Sequence, residues 1–368
     1  MLRRRHLAPV AAAMLYSLSG IAAAQDYPAR PIRLVIPFPP GGSNDVVGRM
    51  VAIKLGEKLG KQMVVDNRGG AGGVVGTEGV ALTAPDGAVL WNAGVRSRLE
   101  GLGGASDLND RLEVVGWGDG PGLARAAVWR EGVVTRVGPS VNVRESRAVA
   151  VNADGAVVGI YRLDDGGSTD RSFLSVEGRV LDPGGLGGTD LVVKDIDRTG
   201  LLVGIGMNRF EASHAFLWRR GSPIDLDPLP DNAFTTSGLE AVNDLGQAVG
   251  WAGQSTHLPG CLWKGGRFHP LPLPPGFDAL SPLDIDNRAR IVGRLQRGSD
   301  ERACLVEGST VYDLNTQLET GTSGWQLLGA TGINTRGEIV GYGFHSGVFV
   351  AFLLRPSGLV ASRSMPAE

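Results

Sequence analysis

The sequence predicts a mainly β protein: a six-bladed β-propeller of about 45-residue repeats, preceded by a small βαβα segment. Three observations carry this. A glycine ending an x-V-G triplet recurs at Gly116, Gly159, Gly204, Gly250, Gly293 and Gly341, with spacings of 43, 45, 46, 43 and 48. Seven residues before each stands an Asn or Asp: Asn109, Asn152, Asp197, Asn243, Asp286 and Asn334. After each glycine comes a short strand of aliphatic and aromatic residues at fixed positions, as in Gly260-Cys261-Leu262-Trp263. A fixed period filled with short strands and turns is the mark of a propeller or solenoid, because one repeat cannot bury its apolar faces alone.

The elements follow in chain order. Arg3, Arg4 and Arg5 precede an apolar run from Leu7 to Ala24 that ends Ala22-Ala23-Ala24, the pattern of an export signal cleaved after Ala24. Pro9, Ser17, Ser19 and Gly20 interrupt that run, so a permanent membrane span is not expected. The mature chain is expected in the periplasm or outside the cell.

In residues 26–87, Ile32–Phe38 is a continuous apolar run short enough for a buried strand. Pro39-Pro40-Gly41-Gly42 stops it, and Ser43 or Asn44 can cap a helix carrying Val46, Val47, Met50, Val51, Ile53 and Leu55. Gln62–Asp66 reads as a second strand, followed by a Gly-rich loop and a short helix from about Val75. Both Gly-rich turns lie at the C-terminal ends of strands, the edge where open parallel sheets bind ligands. Gly70-Ala71-Gly72-Gly73-Val74-Val75-Gly76 is not a dinucleotide fingerprint, since its third glycine falls one place late.

This segment resembles the N-terminus of the Bug-type periplasmic solute-binding proteins of tripartite tricarboxylate transport systems. The resemblance rests on Pro37-Phe38-Pro39-Pro40-Gly41-Gly42-Ser43-Asn44-Asp45 and on Asp66-Asn67-Arg68-Gly69-Gly70-Ala71-Gly72-Gly73-Val74-Val75-Gly76. Gly48 and Gly69 depart from that pattern, where Ala and Pro are frequent. It implies the start of a periplasmic-binding-protein-like α/β lobe, with Phe38, Gly41, Gly42, Asp45, Gly72 and Gly73 around a small carboxylate. Unpaired N–H groups of glycine turns suit an anion. Such receptors grip their ligand between two lobes, and the rest of that fold is missing here. The segment is therefore expected to be a truncated one, joined near Gly87 to the repeats as a fusion. The alternative function is a receptor for small carboxylates feeding such a transporter.

Residues 88–358 hold the repeats. Asx at position i with Gly at i+3 (Gly155, Gly200, Gly246, Gly337) marks a type I turn closing a hairpin; Leu112 and Ala289 stand at that glycine position and are expected to be strained. The six Asx residues are thus structural turn residues; no copy supplies the dense oxygen ligands of a calcium loop. The third strand recurs through Ala88-Val89-Leu90-Trp91, Ala126-Ala127-Val128-Trp129, Ser172-Phe173-Leu174, Ala215-Phe216-Leu217-Trp218, Gly260–Trp263, Ala303-Cys304-Leu305 and Ala351-Phe352-Leu353-Leu354. A fourth, outer run is expected to include Val180–Gly188, Ile224–Leu229, Tyr312–Leu314 and Leu99–Gly104. This part resembles the HAF repeat family of exported bacterial proteins, with the tripeptide itself at His214-Ala215-Phe216; that implies an extracellular repeat fold and little about activity. Six hairpin anchors give six blades, with Ala88–Leu102 and the last copy completing one shared blade; a seventh results if Ala88–Trp91 starts its own. Residues 359–368 read as a disordered tail.

Charge and motifs exclude more than they assign. A net charge of −2 gives no nucleic-acid footprint. No G-x-S-x-G, H-E-x-x-H or C-x-x-C motif occurs, and His214, His257, His269 and His345 lack metal spacing. Cys261 and Cys304 share one repeat position, too far apart for a disulfide, and read as buried thiols. The expectation is a monomeric, non-catalytic binding or surface-interaction module with no metal or cofactor. Its partner would be an extracellular or periplasmic protein or small molecule. A hydrolase or lyase would instead need carboxylates or histidines converging in the propeller's channel.

Overall fold

A computed structural model describes residues 32–36, 52–54, 57, 63–67, 88–92, 95–118, 124–165, 167, 169–226, 235–254, 258–319 and 323–356. The signal, the C-terminal tail and the two glycine-rich loops of the N-terminal segment lie outside them. What is described there is a parallel pair, β1 (Ile32–Ile36) with β2 (Met63–Asn67), and helical residues 52–54 and 57 between the strands. Strand, helix and parallel strand is the order that the apolar runs predict.

The other described strands form six antiparallel blades and one separate two-stranded hairpin. The first blade is β5 to β8 (Leu102–Leu108, Val114–Gly118, Ala126–Arg130, Val133–Arg136), after the hairpin β3–β4 (Val89–Asn92, Val95–Arg98). The second is β9 to β12 (Val143–Val151, Val157–Leu163, Arg171–Val176, Arg179–Leu181), and the third β13 to β16 (Gly187–Ile196, Leu202–Asn208, Ser213–Trp218, Ile224–Asp225). The fourth is β17 to β20 (Thr235–Val242, Ala248–Gln254, Gly260–Lys264, Arg267–Pro270), and the fifth β21 to β24 (Ala279–Ile285, Arg290–Arg297, Asp300–Glu307, Thr310–Asp313). The sixth has three strands, β25 to β27 (Trp325–Ile333, Ile339–His345, Val348–Leu354). Each blade runs outward from its first strand, and those first strands surround the axis.

The core lies between blades. Val115, Ala126, Val128, Val157 and Phe173 fill the space between blades 1 and 2, and Val158, Leu174, Val193, Leu202 and Phe216 that between blades 2 and 3. Comparable clusters join blades 3 to 4, 4 to 5 and 5 to 6. Alternation along a strand sends successive residues to opposite neighbours, so Ala126 and Val128 face blade 2 while Ala127 packs the other way with Ala88, Leu99 and Leu102.

Two expectations are corrected. The outer strand of each blade is short, and the Leu-Gly-Gly runs belong elsewhere: Leu102-Gly103-Gly104 opens β5 and Gly187-Gly188 opens β13, both innermost strands. Nor do the two ends share a blade. β3 pairs with β4, not with β27, and the hairpin covers the free face of blade 1 through Ala88, Leu99 and Leu102. Pairing with a strand a few residues away closes a very short loop, whereas pairing with β27 would close one of hundreds of residues.

The recurring glycines have a steric cause. Every first strand carries a β-bulge three residues before its Asx, which leaves Ser106, Val149, Lys194, Glu240, Leu283 and Thr331 without a cross-strand partner. Next to the bulge the backbones crowd together. A Cβ on Gly116, Gly159, Gly204, Gly250, Gly293 or Gly341 would fall on the carbonyl oxygen of Gly104, Arg147, Val192, Gly238, Ser281 or Gly329 respectively. Only glycine fits there.

Candidate functional site

The hairpin turns come first, because they aim the residues behind them. In five of the six turns, the Asx Oδ1 accepts the N–H groups two and four residues on, as from Leu245 and Gln247 to Asn243 at 3.1 and 3.0 Å. In the sixth, Asp197 takes Leu201 N–H and the Thr199 hydroxyl. Each also closes an i to i+3 backbone bond, and the residue at i+3 has positive φ. Leu112 at 58° and Ala289 at 59° occupy the left-handed region that glycine fills in the other four copies.

The same residues tie blades together. The amide of Asn109 donates to the carbonyl of Asn152, that of Asn152 to Asp197 and that of Asn243 to Asp286, at 3.0, 3.1 and 2.9 Å. Aspartate has no amide to give. At blade 5, Arg290 is ion-paired to Asp286 at 2.6 Å and reaches the carbonyl of Asn334 in its place.

Two residues before the Asx, alternate blades differ. Blades 1, 3 and 5 carry Asp107, Asp195 and Asp284; blades 2, 4 and 6 carry Ala150, Ala241 and Gly332. Each aspartate sits just past the bulge, and its two oxygens are both engaged. One accepts the next residue's N–H (Leu108, Ile196 or Ile285, at 2.8, 2.7 and 2.7 Å). The other accepts an N–H from the following blade (Val151, Val242 or Ile333, at 2.9, 2.8 and 2.7 Å). The ring is thereby stapled in pairs: 1 to 2, 3 to 4 and 5 to 6.

These carboxylates are surrounded by protein yet keep partial solvent access along the axis. Burial pushes Asp107 and Asp284 up to about 6, and the charge of Asp284 adds to the rise at Asp107. Asp195 is raised well above the carboxylate range, first by burial and then by both of the others. Backbone N–H bonds oppose the shift in all three without cancelling it. Beside them the bulge residues Lys194 and Glu240 form a buried ion pair at 3.2 Å. The axis is therefore lined by more than apolar and backbone groups. Its carboxylates can hold and release protons, but both oxygens of each are already used as acceptors. Among the described residues, no group of three His, Cys, Asp or Glu side chains could hold a metal ion.

The other singled-out residues are placed as follows. Phe38, Gly41, Gly42, Asp45, Gly72 and Gly73 lie outside the described residues. His214 is buried and bonds Asp225 through Nδ1 at 2.8 Å, while His345 stacks on Trp325. Cys261 and Cys304 are free and buried, and burial pushes their thiols up to about 11 and about 12. Sequence reasoning missed the three axial aspartates as a set. Their signal was an Asp-x-Asx in every second repeat: Asp107-Leu108-Asn109, Asp195-Ile196-Asp197 and Asp284-Ile285-Asp286.

Comparison with known proteins bears on the N-terminal region. The model of the tripartite tricarboxylate transporter family receptor matches residues 47–96, running past Gly87 into β4. Protein BugT of Bordetella pertussis is 55% identical over 75 residues, 20% of this chain and 23% of that protein. A UPF0065 protein of Bordetella bronchiseptica is 35% identical over 174 residues, 47% of this chain and 44% of the relative. The N-terminal region thus has the sequence of the receptor family, but the chain spans only about a quarter of the length of the first curated relatives it matches. Among solved structures, a gluconolactonase of Xanthomonas campestris aligns with 67% of this chain and 83% of its own at 15% identity and a TM-score of 0.36, too low to carry an argument.

Proposed function

We propose that the protein is an exported, non-catalytic β-propeller acting as a binding or surface-interaction module, behind an incomplete receptor-family segment. One observation carries the reading. The polar residues that recur from repeat to repeat are spent on the scaffold: the six Asx residues close hairpins, and the axial aspartates staple blades. A ring held this way presents its variable loops and clefts for binding. Export follows from the N-terminal signal pattern, and no helix among the described residues is long and apolar enough to cross a membrane. The HAF-repeat assignment rests on the repeated strand and turn residues.

A second reading, a receptor for small carboxylates, is favoured by the family match at residues 47–96. Thermal unfolding of the mature chain with a panel of di- and tricarboxylates separates the two. A ligand at 100 times its Kd stabilises the native state by about 2.7 kcal/mol. Under the module reading, substitutions in the glycine loop (Gly72→Val, Gly73→Val) leave any such stabilisation unchanged. Stabilisation that these substitutions abolish would replace the module reading with the receptor one.

A further inference from the structure

One blade departs from the repeat in a way that opens a cavity. Two residues beyond the third-strand residue that pairs with the recurring glycine, the blades carry Trp129, Ser175, Trp218, Trp263, Val306 and Leu354. Five are large and apolar; blade 2 has a serine. Ser175 pairs with Val157 on β10 and Val180 on β12, and Val157 packs toward blade 1. Where a tryptophan would fill the space between the outer strands of blades 1 and 2, a cleft of about 300 Å³ remains. That is at the small end of ligand pockets.

The lining is chemically one-sided. Val137, Val157 and Val180 form an apolar floor, and Ser175, Arg130 and Arg136 place polar groups around it. Ser175 is only 7% exposed and lines the cleft, and among the described residues no protein group bonds its hydroxyl, which opens onto the cleft. A hydroxyl that opens onto a cleft takes its partner from water or from a bound molecule. Among the described residues, no carboxylate lies within ion-pair reach of Arg136. Arg130 gives its Nε to Glu113 at 2.5 Å, which leaves its terminal nitrogens available. Burial disfavours the Glu113 charge, but hydrogen bonds from Asn109 and Arg130 outweigh this and hold its carboxyl below the usual range. Glu113 thus stays ionised and paired, and the Arg136 guanidinium is the uncompensated charge of the cleft. Glu177 at the rim lies beyond ion-pair distance of it.

We propose that this cleft binds a small molecule with an oxyanion head, carboxylate or phosphate, on Arg136 and Ser175 and an apolar body on the valine floor. Two arginines in the lining, with the hydroxyl of Ser175, suit the planar or trigonal oxygens of such a head. The proposal rests on the reading of the propeller as the binding unit, and gives that unit a place and a ligand class.

The test is calorimetric titration of the full mature chain with inorganic phosphate and with citrate at low ionic strength. Ser175→Trp restores the residue type of blades 1, 3 and 4, so it should fold and abolish binding. Arg136→Gln, on an exposed side chain, should weaken binding at least ten-fold, and Ser175→Ala by roughly five-fold for one lost hydrogen bond. Phosphate and citrate bound equally would assign the site to the bare oxyanion; citrate alone would assign it to carboxylates. Binding of neither, or binding unchanged in Ser175→Trp and Arg136→Gln, overturns the cleft and leaves the module reading standing. Binding lost instead in Gly72→Val would overturn the module reading itself.

Discussion

The axial aspartates make stability fall as pH rises through the mildly acid range, opposite to the usual behaviour of paired carboxylates. Asp107 and Asp284 move from an ordinary 3.8 to about 6, so the folded chain holds their protons more tightly than the unfolded chain does. The stabilisation from that preference is complete below about pH 4 and is lost as pH rises through about 6. Each shift of about two units corresponds to on the order of 3 kcal/mol. Solvent access along the axis trims this to roughly 2 kcal/mol per carboxylate. Asp195, raised in the same direction by burial and coupled to both, adds to the fall. Urea denaturation at half-unit steps from pH 4.5 to 7.5 should therefore show the wild-type free energy declining by several kcal/mol. Asp284→Asn should behave differently at the two ends. Its amide keeps one acceptor and turns an NH₂ toward the other backbone N–H, costing roughly 1–2 kcal/mol at pH 4.5. By pH 7.5 the removed charge offsets that cost, so the two curves converge or cross. Wild-type stability that is flat or rising across the range, with a parallel curve for the variant, would refute the reasoning.

Four further outcomes follow from the repeat geometry. Gly250→Ala sets a Cβ against the Gly238 carbonyl and should cost about 3 kcal/mol or more in urea, whereas alanine at Gly266, where φ is 78° but nothing lies within 4 Å, should cost only about 1. Ala289→Gly relieves a positive φ and should raise stability by about 0.5–1 kcal/mol, visible as a higher urea midpoint. Asn152→Ala removes the acceptor for Asp154 and Ala156 N–H and the donor to the Asp197 carbonyl, and should cost about 2 kcal/mol in the same assay. Cys261 and Cys304 should be inert to Ellman's reagent at pH 8 in the native chain and react only as fast as it unfolds.

The legible features are those imposed locally and repeated in every blade. A turn needs an acceptor at i and positive φ at i+3, so Asn or Asp and Gly recur at fixed offsets and betray the hairpins. The bulge needs a bare backbone opposite it, so the glycine seven residues after the Asx keeps time for the whole domain. Blade boundaries were less legible because Leu-Gly-Gly suits either the end of one sheet or the start of the next; only pairing decides, and Gly187 pairs with Asn208 inside blade 3. The axial set was hidden for another reason. Asp195-Ile196-Asp197 reads as a local acidic cluster, but the two residues face different tasks: Asp197 closes its own turn, while Asp195 reaches Val242 of the next blade. Three residues 88 and 89 positions apart (Asp107 to Asp195 to Asp284) become neighbours only when the ring closes.

That alternation changes what the repeating unit is. Hairpin, bulge and glycine recur once per blade, but the aspartate staple recurs once per two blades, and its partners carry Ala or Gly where a second carboxylate would stand. Six aspartates around one axis would repel one another at neutral pH, whereas three, each holding its neighbour's backbone, bind every blade into a pair. Links between pairs then fall to other contacts: the Asn152 amide joins 2 to 3, and the Asn243 amide with the Asp244–Asn287 bonds joins 4 to 5. At the remaining seam no such bond occurs among the described residues. Asn334 turns its amide to Glu338 of its own hairpin, three strands of blade 6 are described, and Val348 and Phe349 on the third are largely exposed. Among the described residues the ring is thus three stapled pairs with two hydrogen-bonded joints between them, and opening is expected first at the third joint, where no such bond is described.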